Sequence, residues 1–255
     1  MELADLYDYL PEHSARLNLK LERAKKHIAD IEHRLTAAAN NHGVSLHIDP
    51  KTGEQFLYYL WMDRALRPDI ALIVGDAVHN LHCSLDIAYR GVLQVVNPAG
   101  FDPSRTKFIV GNDRKHLESS LLKTAKIPAN SPLFDFLVNR VKSYRKGGDR
   151  DIVALHDLDI NDKHHSLIPM LTIVGVNGVQ LEYEDGTVDN LAIAITSNVP
   201  CSRKLRAHPK IKNHGKTIFR VTFSEGDLRD IEMLPTLRLF SGKAERIVRS
   251  FQRMR

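Results

Sequence analysis

Cysteine is scarce in this sequence: only Cys83 and Cys201 occur among 255 residues, and they lie far apart. Neither belongs to a Cys-x-x-Cys pair or to a Cys/His spacing that is typical of zinc. Two cysteines are also too few for the disulfide framework of a small secreted domain. We therefore expect free thiols in a reducing compartment, and the sequence predicts a cytoplasmic protein.

Long apolar runs are missing as well. The longest ones, at 70–74 and 167–176, fall short of the roughly 20 residues that a membrane-spanning helix needs. The first residues are acidic and do not show the basic-then-apolar order of a secretory signal peptide. The sequence also contains no GxGxxG, Walker A, GxSxG or HExxH motif, which argues against the common nucleotide-binding and hydrolase folds. We expect no membrane partner.

The composition, 43% hydrophobic and 26% charged, is that of a globular domain, and apolar residues recur at helical spacing over much of the chain. The clearest helix spans 13–41, and a second long helix spans 68–96. Further helices are predicted at 115–123, 131–144, 149–165 and 226–254.

Alternating or β-branched apolar segments predict strands in two regions. A hairpin is expected from 44–48 and 55–61, and a small antiparallel sheet from 167–176, 179–184, 191–196 and 216–223. Asn177-Gly178 and 184–186 have the composition of hairpin turns. Together these elements predict a single α+β domain over 1–255, not an alternating βαβ fold. It is predominantly an antiparallel helical bundle, formed by 10–165 and a closing helix at 226–254. The small antiparallel sheet, within 166–224, is inserted before that C-terminal helix.

The positive charge of the chain, +5 overall, is concentrated in one segment. Residues 202–216 contain six basic side chains and no acid: Arg203, Lys204, Arg206, Lys210, Lys212 and Lys216. Such a stretch can bind a phosphate backbone. It can equally be a solvated loop, since no aromatic residues interleave the basic ones to stack on bases.

Polar residues crowd one part of the predicted helix 68–96: Asp76, His79, Asn80, His82, Cys83, Ser84 and Asp86. Asp76 and His79 are three residues apart and therefore neighbours on one helix face. An apolar stripe through Val78 and Leu81 runs beside them. This combination predicts a partly buried polar site.

A second polar segment follows at 150–165. Asn161 and His164 are again three residues apart, Asp162 and Lys163 lie between them, and His156 precedes them by one to two turns. If the two helices pack antiparallel, these side chains converge on the polar residues of 68–96. We predict that Asp76, His79, Asn80 and Asp86 share a site with Asn161 and His164.

Three interpretations of this cluster remain open. Acid-x-x-His pairs on two bundle helices resemble a carboxylate-bridged metal site, although Asn161 stands where the second acid belongs and bridging glutamates are missing. The cluster can also perform acid–base catalysis through histidine and arginine without metal. Finally, it can be a buried polar network that fixes how the helices pack. We predict no metal ion and no other cofactor.

The stretch 73–89, I-V-G-D-A-V-H-N-L-H-C-S-L-D-I-A-Y, resembles an uncharacterised family of bacterial and phage proteins with a core like GDALHNLRSALDHLA. Family members carry a preceding helix of the type K-x-x-R-A-x-x-H-I and a later N-x-D-K-H-R. Here L-E-R-A-K-K-H-I at 21–28 and N-D-K-H-H at 161–165 stand in those places. The similarity follows the chain in order over nearly its whole length.

The family core also resembles the R-x(4–6)-H signature of HEPN domains, although this chain has His82 and Ile87 at the two signature positions. Arg150 and His156 fit the same spacing, so arginine could bind a phosphate and histidine could transfer a proton. The resemblance implies a metal-independent ribonuclease of a toxin or phage-defence system. It would act on RNA as a homodimer, with His79 and His164 completing the acid–base set. The alternatives are a non-enzymatic binding or assembly module of the same fold and a metal-dependent enzyme.

Overall fold

A computed structural model describes the backbone of residues 3–41, 44–59, 66–97, 101–102, 106–164, 169–194, 202–205, 208–224 and 226–254. In this part of the chain the helices are α1 (Leu3–Asn41), α2 (Leu66–Val96), α3 (Arg114–Lys123), α4 (Pro132–Asp135), α5 (Arg150–His164) and α6 (Met233–Gln252). A π-helical segment, Phe136–Val141, continues α4, and a 3₁₀ turn, Gly226–Leu228, precedes α6.

The strands of the described residues are β1 (Val44–Ile48), β2 (Gln55–Tyr59), β3 (Gly111–Asp113), β4 (Tyr144–Lys146), β5 (Pro169–Glu182), β6 (Val188–Ala194), β7 (Ser202–Lys204) and β8 (Lys210–Phe223). They form an antiparallel sheet in the order β6-β5-β8, a second antiparallel sheet β1-β2-β7, and a parallel pair β3-β4. The predicted α+β class, with a sheet before the C-terminal helix, is confirmed.

The main hydrophobic core surrounds α2, which contacts α1, α5 and α6. The predicted apolar stripe of α2 faces this core, since Val74, Val78, Leu81, Leu85 and Ala88 are all buried. A helix that is packed on three sides has little face left for solvent. Its remaining polar residues must therefore find partners on neighbouring elements.

The predicted helix 131–144 is not a regular α-helix, and it ends three residues early, at Val141. Ser131 caps α4 by accepting a hydrogen bond from the Phe134 N–H, but the chain becomes π-helical at Phe136. It leaves the helix at Lys142, which has a left-handed backbone with φ of 55°. Tyr144 belongs to β4, beside β3, a pairing between distant segments that local propensity does not reveal.

The predicted hairpin turn at Asn177-Gly178 is also wrong, since β5 continues through it as a β-bulge. Asn177 pairs with Ala192 and Val179 with Leu191 of β6, so that Gly178, with φ of 78°, is the extra residue on β5. An Asn-Gly pair satisfies the positive φ of a bulge as well as that of a tight turn. The turn at 184–186 does connect β5 to β6, as predicted.

Other boundaries also differ from the predictions. α1 begins at Leu3, not at 13. The last helix begins at Met233, not at Gly226, because a short 3₁₀ turn intervenes. The described part of the basic segment 202–216 includes β7 and the first half of β8. No helix among the described residues has the length and apolar character that crossing a membrane requires.

Candidate functional site

The helices α2 and α5 pack against each other closely enough to bring both polar segments together. Gly75 makes part of this approach possible, because a Cβ atom there would lie 2.4 Å from a carboxylate oxygen of Asp162. The predicted convergence of the two segments is therefore found in the structure. The residues that make direct contact differ in part from those expected.

Asp159 is the centre of the cluster and is only 1% exposed, although the next residue, Ile160, is exposed. Its Oδ1 lies 2.9 Å from Nδ1 of His79, and its Oδ2 lies 3.2 Å from Nδ1 of His82. An ionised carboxylate can only accept hydrogen bonds, so each imidazole donates its Nδ1–H to Asp159. In the neutral tautomer that donates from Nδ1, Nε2 of each ring carries the acceptor lone pair.

His82 and His156 form a buried histidine pair. Nε2 of His82 lies 2.9 Å from Nδ1 of His156, and the tautomer set by Asp159 makes His156 the donor. Burial lowers the pKa of His156 below its ordinary value, and the neighbouring His82 lowers it further. His156 is therefore neutral at pH 7 and keeps its own Nε2 lone pair.

His79 and Cys83 form the more accessible side of the cluster. They are four residues apart on α2, and Sγ of Cys83 lies 3.3 Å from Nε2 of His79. The side chain of His79 is 43% exposed, and Cys83 is half-buried. Cys83, His79 and Asp159 thus form a thiol–imidazole–carboxylate series, the arrangement in which a nucleophile is deprotonated by an oriented base.

Two predicted residues of α2, Asp86 and Asn80, have structural partners, whereas Asp76 does not contact His79 as expected. Asp86 accepts the Phe108 N–H at 2.7 Å, which attaches the segment after α2 to the helix. Asn80 is buried and donates its amide to the backbone carbonyl of Asp76 at 2.7 Å. The Asp76 side chain is exposed, and the carboxylate that binds His79 comes from Asp159 of α5 instead.

Arg150 and His156 do not lie on one face of α5. Arg150 is exposed in the first turn, whereas His156 points towards α2. Six residues at 3.6 residues per turn correspond to a rotation of about 240°. Asn161 is also exposed, and the backbones of Lys163 and His164 belong to α5 while their side chains lie outside the description.

Two of the predicted basic residues pair with acids that do not belong to this cluster. Lys204 pairs with Glu54, Lys212 pairs with Glu182 at 3.4 Å, and Lys210 is exposed. Arg203 belongs to β7 without a described side chain, and Arg206 lies outside the described residues. Lys210 pairs with Glu182 at the end of β5. At the rise of an extended strand, this end lies about 40 Å from Pro169, where β5 begins.

Asp159 and Arg145 were not singled out from the sequence. The exposed Arg145 donates two hydrogen bonds to Asp157, another acid of α5. The sequence contained two signs of these contacts. Asp159 lies three residues after His156, the spacing of neighbours on a helix face, and Cys83 lies four residues after His79.

Comparison with known proteins adds no assignment: no family model, no curated protein and no solved structure matched this chain. Among the residues that the structure describes, no group of three or more His, Cys, Asp or Glu side chains is arranged to hold a metal ion.

Proposed function

We propose that the protein is a thiol-dependent hydrolase that cleaves an acyl bond, with Cys83 as nucleophile and His79 as general base. The observation that carries this proposal is the 3.3 Å separation of Cys83 Sγ and His79 Nε2. The 2.9 Å bond from His79 Nδ1 to Asp159 supports it, because that bond selects the tautomer that can accept a proton at Nε2.

The reaction then takes two steps. Nε2 of His79 removes the thiol proton, and the sulfur of Cys83 attacks the carbonyl carbon of an ester, thioester or amide. The leaving group departs with the proton from Nε2, and a thioester remains on Cys83. Water adds to this thioester after giving its proton to Nε2, the C–S bond breaks, and the proton returns to the sulfur.

The role of Asp159 is to orient His79 and to stabilise the imidazolium that forms between the two steps. A carboxylate that is almost fully buried would be costly without partners. The second bond, from His82 to Oδ2, supplies one of them and fixes the plane of the carboxylate. His82 and His156 are thus positioning residues in this proposal, since they reach the reaction through Asp159.

The test is to incubate the protein with p-nitrophenyl acetate and to measure both released p-nitrophenol and the mass of the protein. We expect an early burst of product and an acetyl group on the peptide that contains Cys83. Cys83→Ala should remove both signals, whereas Cys201→Ala serves as the control and should keep them. Hydrolysis of equal rate in Cys83→Ala would refute the proposal.

A second candidate, RNA binding or cleavage, is favoured by the surface of β8. Lys216 and Arg220 are both exposed and lie four residues apart, beyond the register shift of β8 near Lys212. Side chains an even number of residues apart in a regular strand share one face, so these two cations can contact a phosphate backbone. The half-exposed His79, held by Asp159, could also accept the proton of a ribose hydroxyl.

One variant, Cys83→Ala, separates the two candidates. Cleavage of RNA by His79 does not need the thiol, so Cys83→Ala should cleave RNA as well as the wild type does. In the presence of EDTA, persistent cleavage would support metal-independent chemistry, and its loss would point to a metal-dependent enzyme. If neither acyl bonds nor RNA are cleaved, the cluster acts as a buried polar network in a binding or assembly module.

A further inference from the structure

A cleft of about 260 Å³ opens between the π-helical segment, the first turn of α5 and the last turns of α6. Its floor is apolar and consists of Phe136, Val141, Ile152 and Ile247, each at most 8% exposed. Small-molecule sites are typically concave and lined mainly by apolar side chains, with a few polar groups that orient the ligand. The floor alone would suit an aliphatic chain or an aromatic ring.

The rim of this cleft carries positive charge. Arg246 is exposed, and no ion pair to it occurs among the described residues. Arg140 is 73% exposed and has an acid, Asp135, at 3.5 Å on one side only. The third cation, Lys243, already has two carboxylate partners, so the unsatisfied charge belongs to the guanidinium groups.

The walls are held in place by specific bonds. Lys243 of α6 binds Asp149 at 2.7 Å and Asp151 at 2.5 Å, both at the start of α5. The Asp149 N–H donates to the Lys142 carbonyl at 2.9 Å, which joins the start of α5 to the end of the π-helical segment. These bonds connect all three walls, so the cleft is formed before any ligand binds.

The π-helical segment is the second sign of a site. Such segments are rare and often occur where a helix widens to place side chains at a functional position. Here the segment directs Phe136 and Val141 to the floor and Arg140 to the rim. It ends at Lys142, whose backbone is left-handed without being glycine, a conformation that persists only where the surroundings enforce it.

We propose that this cleft binds a small amphipathic anion, with the apolar part on the floor and one negatively charged group between Arg140 and Arg246. A guanidinium can bind a carboxylate or a phosphate through paired hydrogen bonds. The proposal does not depend on chemistry at Cys83, because no residue of the thiol–imidazole–carboxylate series lines this cleft.

The test uses isothermal titration of the full chain with octanoate, octanol and acetate. We expect one octanoate to bind per chain, with octanol and acetate each binding about tenfold more weakly or worse, because each lacks one of the two features. Arg246→Gln should weaken octanoate binding about tenfold. The control is Arg249→Gln, on the same helix and also exposed, whose guanidinium pairs with Glu245 and should not contribute.

Two outcomes would overturn the proposal. One is the absence of saturable octanoate binding in the wild type. The other is equal weakening by Arg246→Gln and Arg249→Gln, which would show general attraction to positive charge. Both arginines are exposed, so thermal melts of the variants should match the wild type and confirm that a change in binding is not a change in folding.

Discussion

The Cys83 thiol and the His79 imidazole lie within 3.3 Å of each other on one face of α2, and Asp159 of α5 holds the far side of the imidazole. Two of these residues are close in sequence, whereas the third comes from a helix almost 80 residues away. The series therefore exists only when α2 and α5 are packed together. Activity at Cys83 and the stability of this helix pair should be coupled.

His79→Ala should destabilise the protein by about 1–3 kcal/mol, the cost of leaving a buried polar group without its partner. The group concerned is Oδ1 of Asp159, which would lose its bond to His79. His82 would still satisfy Oδ2, so the loss is partial. Urea unfolding of both proteins measures the difference, and an unchanged free energy of unfolding would mean that Asp159 does not depend on His79.

Stability should fall in mild acid because of His156. The pKa of His156 in the folded protein lies below its ordinary value of 6.5, chiefly because of burial and then because of His82. Asp157 and Asp159 oppose this shift, and Arg145 adds to it. Below pH 6.5 the unfolded chain thus binds more protons than the folded one.

The contribution of His156 is therefore present in full above pH 6.5 and is lost as the pH falls through the lower, folded-state pKa. His156→Asn should flatten the decline in melting temperature between pH 7.5 and pH 5, compared with the wild type. His33→Asn, at an exposed position of α1, is the control and should leave the slope unchanged. If the melting temperature of His156→Asn fell with pH as steeply as that of the wild type, the prediction would be contradicted.

Tyr89→Phe should leave the protein as stable as the wild type or raise its stability by about 1 kcal/mol. Tyr89 is 1% exposed, and its hydroxyl is buried without a hydrogen-bond partner among the described residues. Burial without a partner also raises the pKa of this phenol far above its ordinary value. Phenylalanine removes the unsatisfied group and keeps the ring packing against Phe108 and Phe251.

Differential scanning calorimetry measures this effect. The matched control is Tyr183→Phe, because the Tyr183 hydroxyl donates to Asp189 at 3.0 Å and lies near the surface. We expect that variant to be neutral or slightly less stable. A large loss of stability in Tyr89→Phe would show that the hydroxyl has a partner outside the described residues.

The sequence predicted what depends on local pattern. The periodicity of α1 and α2 was sufficient to place both helices, and the apolar stripe from Val74 to Ala88 indicated which side of α2 is buried. Errors occurred where tertiary contacts decide the structure. The bulge at Gly178 depends on β6 pairing across it, and the strand at Tyr144 depends on β3.

At the candidate site, too, local pattern was predictable and tertiary contacts were not. Helical spacing identified His79 and the meeting of α2 with α5, but it could not show which acid of α5 points towards α2. Asp157 and Asp159 are two residues apart and therefore face different directions. Only the packing of α5 reveals that Asp159 is buried between two histidines while Asp157 binds Arg145 near the surface.

The most direct test of the thiol–imidazole–carboxylate series is the rate of Cys83 alkylation by iodoacetamide at pH 7. Mass spectrometry of the digested protein follows the Cys83 peptide, and the Cys201 peptide in the same digest is the internal reference. If His79 activates the thiol, His79→Gln should slow alkylation of Cys83 at least about tenfold and leave Cys201 unchanged, since the thiolate is the reactive form. Equal rates at Cys83 in the wild type and in His79→Gln would contradict the account.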